Sequence, residues 1–189
     1  MATTGYTSDA QLAAFKKQNL VTLGYERKGG VVQSTGKSFR AYCKGGRPGL
    51  WLANLYAPPR RGLVVCESPF DCIARAKLIA SSGCDPDEWG YIALRSGAEA
   101  HAVTAIEKAV NNLETKIVFI CTDNDAAGMS YAQKLMAGIS EQKIDVSVRY
   151  VAPPLLAKDW NDALIAKTKR ETAGEKSPAE YRPEADWAR

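Results

Sequence analysis

From residue 62 onward, short apolar runs rich in β-branched residues alternate with amphipathic stretches, and this alternation limits the fold more than any other feature. The runs are Leu63–Cys66, Tyr91–Leu94, Lys116–Cys121 and Val146–Val151, and helices are expected over 70–82, about 98–113, about 126–141 and 159–168. The runs are apolar nearly throughout, so both faces of the sheet must be covered. That predicts an α/β fold with a parallel sheet and helices on both faces. Right-handed crossovers then bring every strand's C-terminal end to one edge. With 46% hydrophobic residues in 189, a core of this kind needs no disulfide or structural metal.

The front of the chain reads differently. Residues 8–19 have helical spacing, with Ser8 or Asp9 as cap and Leu12 and Phe15 on one face. Residues 31–43 read as two short strands around Ser34-Thr35-Gly36-Lys37, with a third at 49–56, together a small antiparallel layer. Gly36-Lys37-Ser38 is not a phosphate loop: five residues rather than four separate it from Gly30, and a hairpin turn explains it. Pro58-Pro59-Arg60-Arg61-Gly62 marks a boundary. The expected division is a basic α+β extension over 1–61, a main domain over 62–169 and a polar tail over 170–189.

Net charge is +4, unevenly spread. Residues 1–62 carry ten Lys or Arg against Asp9 and Glu26, whereas 63–170 carry twelve basic and fourteen acidic residues. A basic front beside an acidic centre suits contact with a polyanion. Lys37, Arg40, Lys44, Arg47, Arg60 and Arg61, interleaved with Phe39, Tyr42, Trp51 and Tyr56, form a candidate nucleic-acid surface. The five cysteines contain no CxxC pair, which argues against a zinc ribbon or finger and fits a reducing, cytoplasmic setting. No secretory signal or membrane span is expected. His101 is the sole histidine, so paired- and triple-histidine metal sites are excluded within the chain.

The acidic residues carry the chemistry. Glu67 follows the first apolar run and Asp71 comes four residues later, while Asp123 and Asp125 follow the third run. In a parallel sheet these carboxylates gather at the carboxyl edge, where open α/β folds bind ligands. Clustered carboxylates repel one another unless a cation answers them. Oxygen ligands suit Mg²⁺, with Mn²⁺ as an alternative, and commonly bridge it to phosphate. Asp71 and Asp125 also read as helix caps.

Four segments together resemble the Toprim domain, most closely its primase version from phages, plasmids and other mobile elements. They are Glu67-Ser-Pro-Phe-Asp71, Leu94-Arg-Ser-Gly97, Asp123-Asn-Asp125-Ala-Ala-Gly128 and Lys158-Asp159-Trp160-Asn161-Asp162. Coverage runs from about 62 to 168, with order and spacing preserved. The resemblance implies a Rossmann-like Toprim sheet in which Glu67 serves as general acid or base and Asp123 and Asp125 hold Mg²⁺. Asp159 and Asp162 would stand at the edge of the same cluster and serve a second cation. Asp71 would belong to the metal set and help shape the site, and Gly97, Gly128 and Lys158 would shape it too. Ser68 stands where the family usually has glycine, and a positive φ there would strain serine.

On this resemblance the expected activity is primase-like nucleotidyl or phosphoryl transfer on a DNA template. Nucleotides, and a helicase or another replication protein, are the expected partners. A nuclease would use the same carboxylates with water as the attacking group. A non-catalytic module that binds DNA or a replication partner is the reading Ser68 favours. Topoisomerases share the domain, but Tyr91 and Tyr131 fall in a core strand and a helix, and strand-passing domains would not fit in this length. A haloacid-dehalogenase-like phosphatase carries its Asp-x-Asp after the first strand, whereas Glu67 comes earlier here. The usual zinc module and helicase-contact domain of a primase do not fit in 189 residues, which suggests a fragment, a minimal form or one member of an assembly.

Overall fold

The computed structural model describes residues 26–32, 34–35, 37–42, 49–55, 61–94, 99–154 and 156–174, with only the backbone path described in the front hairpin and at 99–100. Two compact units divide the chain, residues 1–49 and 50–189. In the first, β1 (Glu26–Val32) pairs antiparallel with β2 (Lys37–Tyr42) across a turn at Ser34–Thr35. This is the hairpin predicted in place of a phosphate loop. The helix expected at 8–19 lies outside the described residues, as does most of the tail.

The second unit is a five-stranded sheet in the order β3-β5-β4-β6-β7. Its strands are β3 (Trp51–Ala53), β4 (Gly62–Cys66), β5 (Trp89–Ala93), β6 (Ile117–Cys121) and β7 (Ser147–Tyr150). Strands β4 to β7 are parallel, as the continuous apolar runs predict. The short β3 was expected in the front layer. It instead pairs antiparallel with β5, Trp51 opposite Ala93, and forms one sheet edge. Its half-buried side chains gave no period-2 or continuous signal strong enough to assign it to either sheet.

Among the described residues the helices are α1 (Pro69–Ser81), α2 (Glu99–Leu113), α3 (Ala126–Glu141) and α4 (Trp160–Thr172), and a 3₁₀ turn lies at Pro86–Glu88. Helix α4 runs past the expected end at 168. Alternate residues of each strand feed two separate cores. Leu63, Val65, Ile92, Val118 and Ile120 pack with Ile106, Leu113 of α2 and Leu135, Ile139 of α3. Val64, Cys66, Tyr91, Phe119 and Cys121 pack with Leu78, Ile79 of α1 and Trp160, Ala163 of α4. Each fully buried aliphatic or aromatic side chain stabilises by about 1.5–3 kcal/mol, and this double core holds the strand ends rigid.

Strand order decides where a ligand fits. From β4 the chain passes through α1 to β5 on one side, then through α2 on the opposite face to β6 on the other side. The connections part at β4 and β6, which opens a crevice at their carboxyl ends, the topological switch point of an open parallel sheet.

Candidate metal centre

Glu67 and Asp123 stand at the two lips of that crevice. Glu67 follows Cys66, the last residue of β4, and Cys66 pairs in register with Cys121, the last residue of β6. The Asp123 backbone N–H donates to Glu67 Oε1 at 2.9 Å, tying the lips together. Burial pushes the Glu67 carboxyl above its ordinary value; Asp125 and Asp71 add to the rise, while the Asp123 N–H and Lys158 oppose it. Asp123 is pushed up to about 7, first by burial and then by the negative charges of Glu67, Asp71, Asp159 and Asp125. Five acids from three separate segments therefore share one electrostatic neighbourhood.

Most of them have fixed structural work at one oxygen. Asp125 caps α3, its Oδ1 accepting the Gly128 N–H at 2.8 Å. Asp159 caps α4 in the same way, accepting the Asp162 N–H at 2.7 Å. Asp71 is buried, with Oδ2 taking the Ser68 hydroxyl and Oδ1 the Asn161 N–H at 3.3 Å. The roles of cap and site residue coexist here because a cap uses one carboxylate oxygen and leaves the second. Asp162 is exposed at the first turn of α4, and its backbone N–H meets Asp159.

Asp123 differs from the others. Its Oδ1 is buried and has no hydrogen-bond partner. A buried carboxylate oxygen facing other carboxylates is costly unless a cation meets it, so the donor set fits a hard divalent ion such as Mg²⁺. Among the described residues no three His, Cys, Asp or Glu side chains form a ready-made cage. Mg²⁺ does not require one, since it binds through one or two carboxylates and keeps several waters. Asp123, with the neighbouring carboxylates of Asp125 and Asp159, would hold it.

Gly128 and Ser68 bear on the site's shape. A Cβ at Gly128 would overlap the Asp123 carbonyl oxygen and come within 2.8 Å of Glu67 Oε1, so the first turn of α3 approaches the crevice only with glycine there. Gly97 lies outside the described residues. Ser68 has φ −132°, an extended conformation open to any residue, and it caps α1 by accepting the Asp71 N–H. The departure from glycine therefore carries no backbone strain.

Lys158 is exposed, and its carbonyl accepts the Asn124 N–H at 2.8 Å, joining the loop after β6 to the loop before α4. Arg61 pairs with Glu88, its backbone N–H reaching the Glu88 carbonyl at 2.8 Å and its guanidinium the carboxylate at 3.8 Å. Lys37 and Arg40 lie on β2, and Lys44, Arg47 and Arg60 fall outside the described residues. His101 is exposed on α2. Tyr91 is 3% exposed and donates its hydroxyl to the Pro86 carbonyl, a core role.

Arg75 was not foreseen as part of this region. It is 1% exposed on α1, one turn after Asp71, and its guanidinium lies 4.0 Å over the Trp160 ring. The signal was present in the sequence: Asp71, Ala74, Arg75, Leu78 and Ile79 share the i, i+3, i+4, i+7 stripe that turns inward.

Among the described residues no helix is long and apolar enough to cross a membrane. No curated protein and no solved structure matches the chain. A family model described as Toprim-like matches residues 64–164, a span that holds every acid of the cluster. Domains of this family bind Mg²⁺ through acidic residues and serve metal-dependent work on nucleic acid. Matched over more than half of its 189 residues, and with its acids gathered at the switch point of a mostly parallel sheet, the chain belongs to the Toprim-like family.

Proposed function

We propose that this chain is a primase-like Toprim protein that transfers nucleotidyl or phosphoryl groups on DNA, in mobile-element replication or mobilisation. The observation that supports it is the convergence of Glu67 and Asp123, with Asp71, Asp125 and Asp159 around them, at one crevice. Bound there, Mg²⁺ supplies the positive charge that offsets charge developing on a transferring phosphoryl group. Asp123 and Asp125 hold it, with Asp159 beside them and Asp71 fixing the start of α4 through the Asn161 N–H.

Glu67 is the proton carrier in this reading. Its Oε1 is occupied by the Asp123 N–H, which leaves Oε2 to take or release the proton of the attacking or leaving oxygen. Its raised affinity for a proton brings it toward neutral pH, where a general acid or base works best. Nucleotides are the donors, and a helicase or other replication protein is the partner class. Lys37, Arg40, Lys44, Arg47, Arg60 and Arg61 are the residues proposed to follow the DNA backbone, a contact that salt would weaken. Ser68 lies in extended backbone, so serine in place of glycine adds no strain that would weigh for a non-catalytic module.

One experiment separates the activities. The protein is incubated with labelled single-stranded DNA, nucleotides and Mg²⁺. Short new RNA supports the primase reading, shortened DNA replaces it with a nuclease, and DNA binding without either product, unaltered by Asp123→Ala, replaces it with a binding module.

A further inference from the structure

We infer that Arg75 and Trp160 are positioning residues, whose stacked pair sets how closely the Asp159 carboxylate approaches Asp123; this rests on the proposal that those two acids share a cation. A buried guanidinium is always charged and costly to desolvate, and an apolar side chain at the same stripe position would fill the core without that cost. Arg75 is nonetheless 1% exposed, on the face that α1 turns to α4. Its planar group lies 4.0 Å over the indole of Trp160, which is itself fully buried. A cation over an indole is most favourable when both are removed from water.

The consequence is directional. With the ring held by Arg75, Trp160 Nε1 donates to the Cys121 carbonyl at 3.0 Å. Cys121 is the last residue of β6, two before Asp123, and Trp160 immediately follows Asp159. The indole thus bridges the strand that carries one acid to the helix start that carries the other. Two more contacts flank it: the Asn161 N–H on Asp71 Oδ1 and the Asn124 N–H on the Lys158 carbonyl. Those contacts set the backbone path on either side of Asp159, while the Arg75–Trp160 stack fixes its depth against the strand end. Outer groups of this kind govern metal affinity because they hold the ligand oxygens in place.

The test is Mg²⁺ titration by calorimetry on the full chain, with the unfolding midpoint read alongside. Trp160→Phe keeps a ring for Arg75 and removes the N–H donor; Arg75→Lys keeps the charge and removes the planar face. Asp159→Asn removes the charge of Asp159 and keeps an equally good helix cap. Each of the first two variants is expected to weaken Mg²⁺ by about 10-fold or more when Asp159 is present. In the Asp159→Asn background the same variants are expected to change it by less than about twofold, since they act through a group already removed. Equal weakening in both backgrounds, or no weakening in either, overturns the inference. Should Asp159→Asn alone leave Mg²⁺ affinity unchanged, the placement of Asp159 in the cation site fails first and the inference falls with it. Arg75→Lys decides alone if Trp160→Phe does not fold.

Discussion

The backbone N–H of Asp123 reaches Glu67 Oε1 at 2.9 Å, joining residues 56 positions apart at the ends of two neighbouring parallel strands. This contact does two things at once. It orients the glutamate, and it brings a second carboxylate close enough that neither is comfortable ionised without a cation.

Glu67→Gln keeps a side-chain oxygen for the Asp123 N–H, so the crevice should hold its shape. It cannot carry a proton. Chemistry is expected to fall by about 10²-fold or more with DNA affinity unchanged. Product formation and DNA binding measured on the same preparation check this. Persistent activity would take the proton-carrying role away from Glu67.

The acids make stability depend on pH in an unusual direction. An unfolded Asp123 titrates at its ordinary 3.8, whereas the folded group is pushed up to about 7. Between these values the folded state holds a proton that the unfolded chain has released. Stability from this group is fully present below the lower value and is lost as pH rises through the higher one. With a chelator present, the unfolding midpoint should therefore decline from pH 4.5 toward pH 7.5 by more in the parent than in Asp123→Asn. Added Mg²⁺ should raise the midpoint most at the upper end, because it binds the ionised carboxylate. A midpoint whose pH dependence is the same in both proteins would contradict the assigned shift.

Gly128→Ala puts a methyl group against the Asp123 carbonyl and Glu67 Oε1. Backbone and carboxylate would both have to move. The expected cost is about 1–3 kcal/mol in chemical denaturation. Mg²⁺ affinity should drop as well, because the displaced groups are those of the crevice. A fully stable variant with parental Mg²⁺ affinity would show that the first turn of α3 is not in close contact with the site.

Ser68 offers a contrast between two small substitutions. Ser68→Ala removes the cap oxygen that accepts the Asp71 N–H and should cost about 1 kcal/mol, whereas Ser68→Gly should cost only a few tenths. Activity is expected to survive in both, since the backbone at Ser68 is extended and unstrained. Denaturation curves for the two variants test the ordering. A large loss of activity in Ser68→Gly would mean that the hydroxyl on Asp71 matters to the chemistry itself.

Much of this molecule could be read in advance. Hydrophobic runs such as Leu63–Cys66 and Lys116–Cys121 announced buried parallel strands because a strand covered on both faces has no polar positions to spare. The cap at Asp125 and the start of α3 at Ala126 were visible because an acid before an alanine-rich amphipathic stretch has few other local uses. The short β3 was harder, since three half-buried residues carry no period of their own and their partner strand is forty positions away, Trp51 facing Ala93. Arg75 escaped notice because a charged residue on an inward stripe is ordinarily counted as a surface residue.

Local pattern alone determined the strand and helix types and the presence of acids at two strand ends, because periodicity and capping act over a few residues and are written in the order of side chains. Only the tertiary structure decided that β4 and β6 are neighbours. With β5 between them instead, the same acids would stand two strand spacings apart, roughly 10 Å, and share no cation. Strand order rests on the packing of α1 and α4 against one face and α2 and α3 against the other. That choice is made by the whole core at once, and no short stretch of sequence contains it.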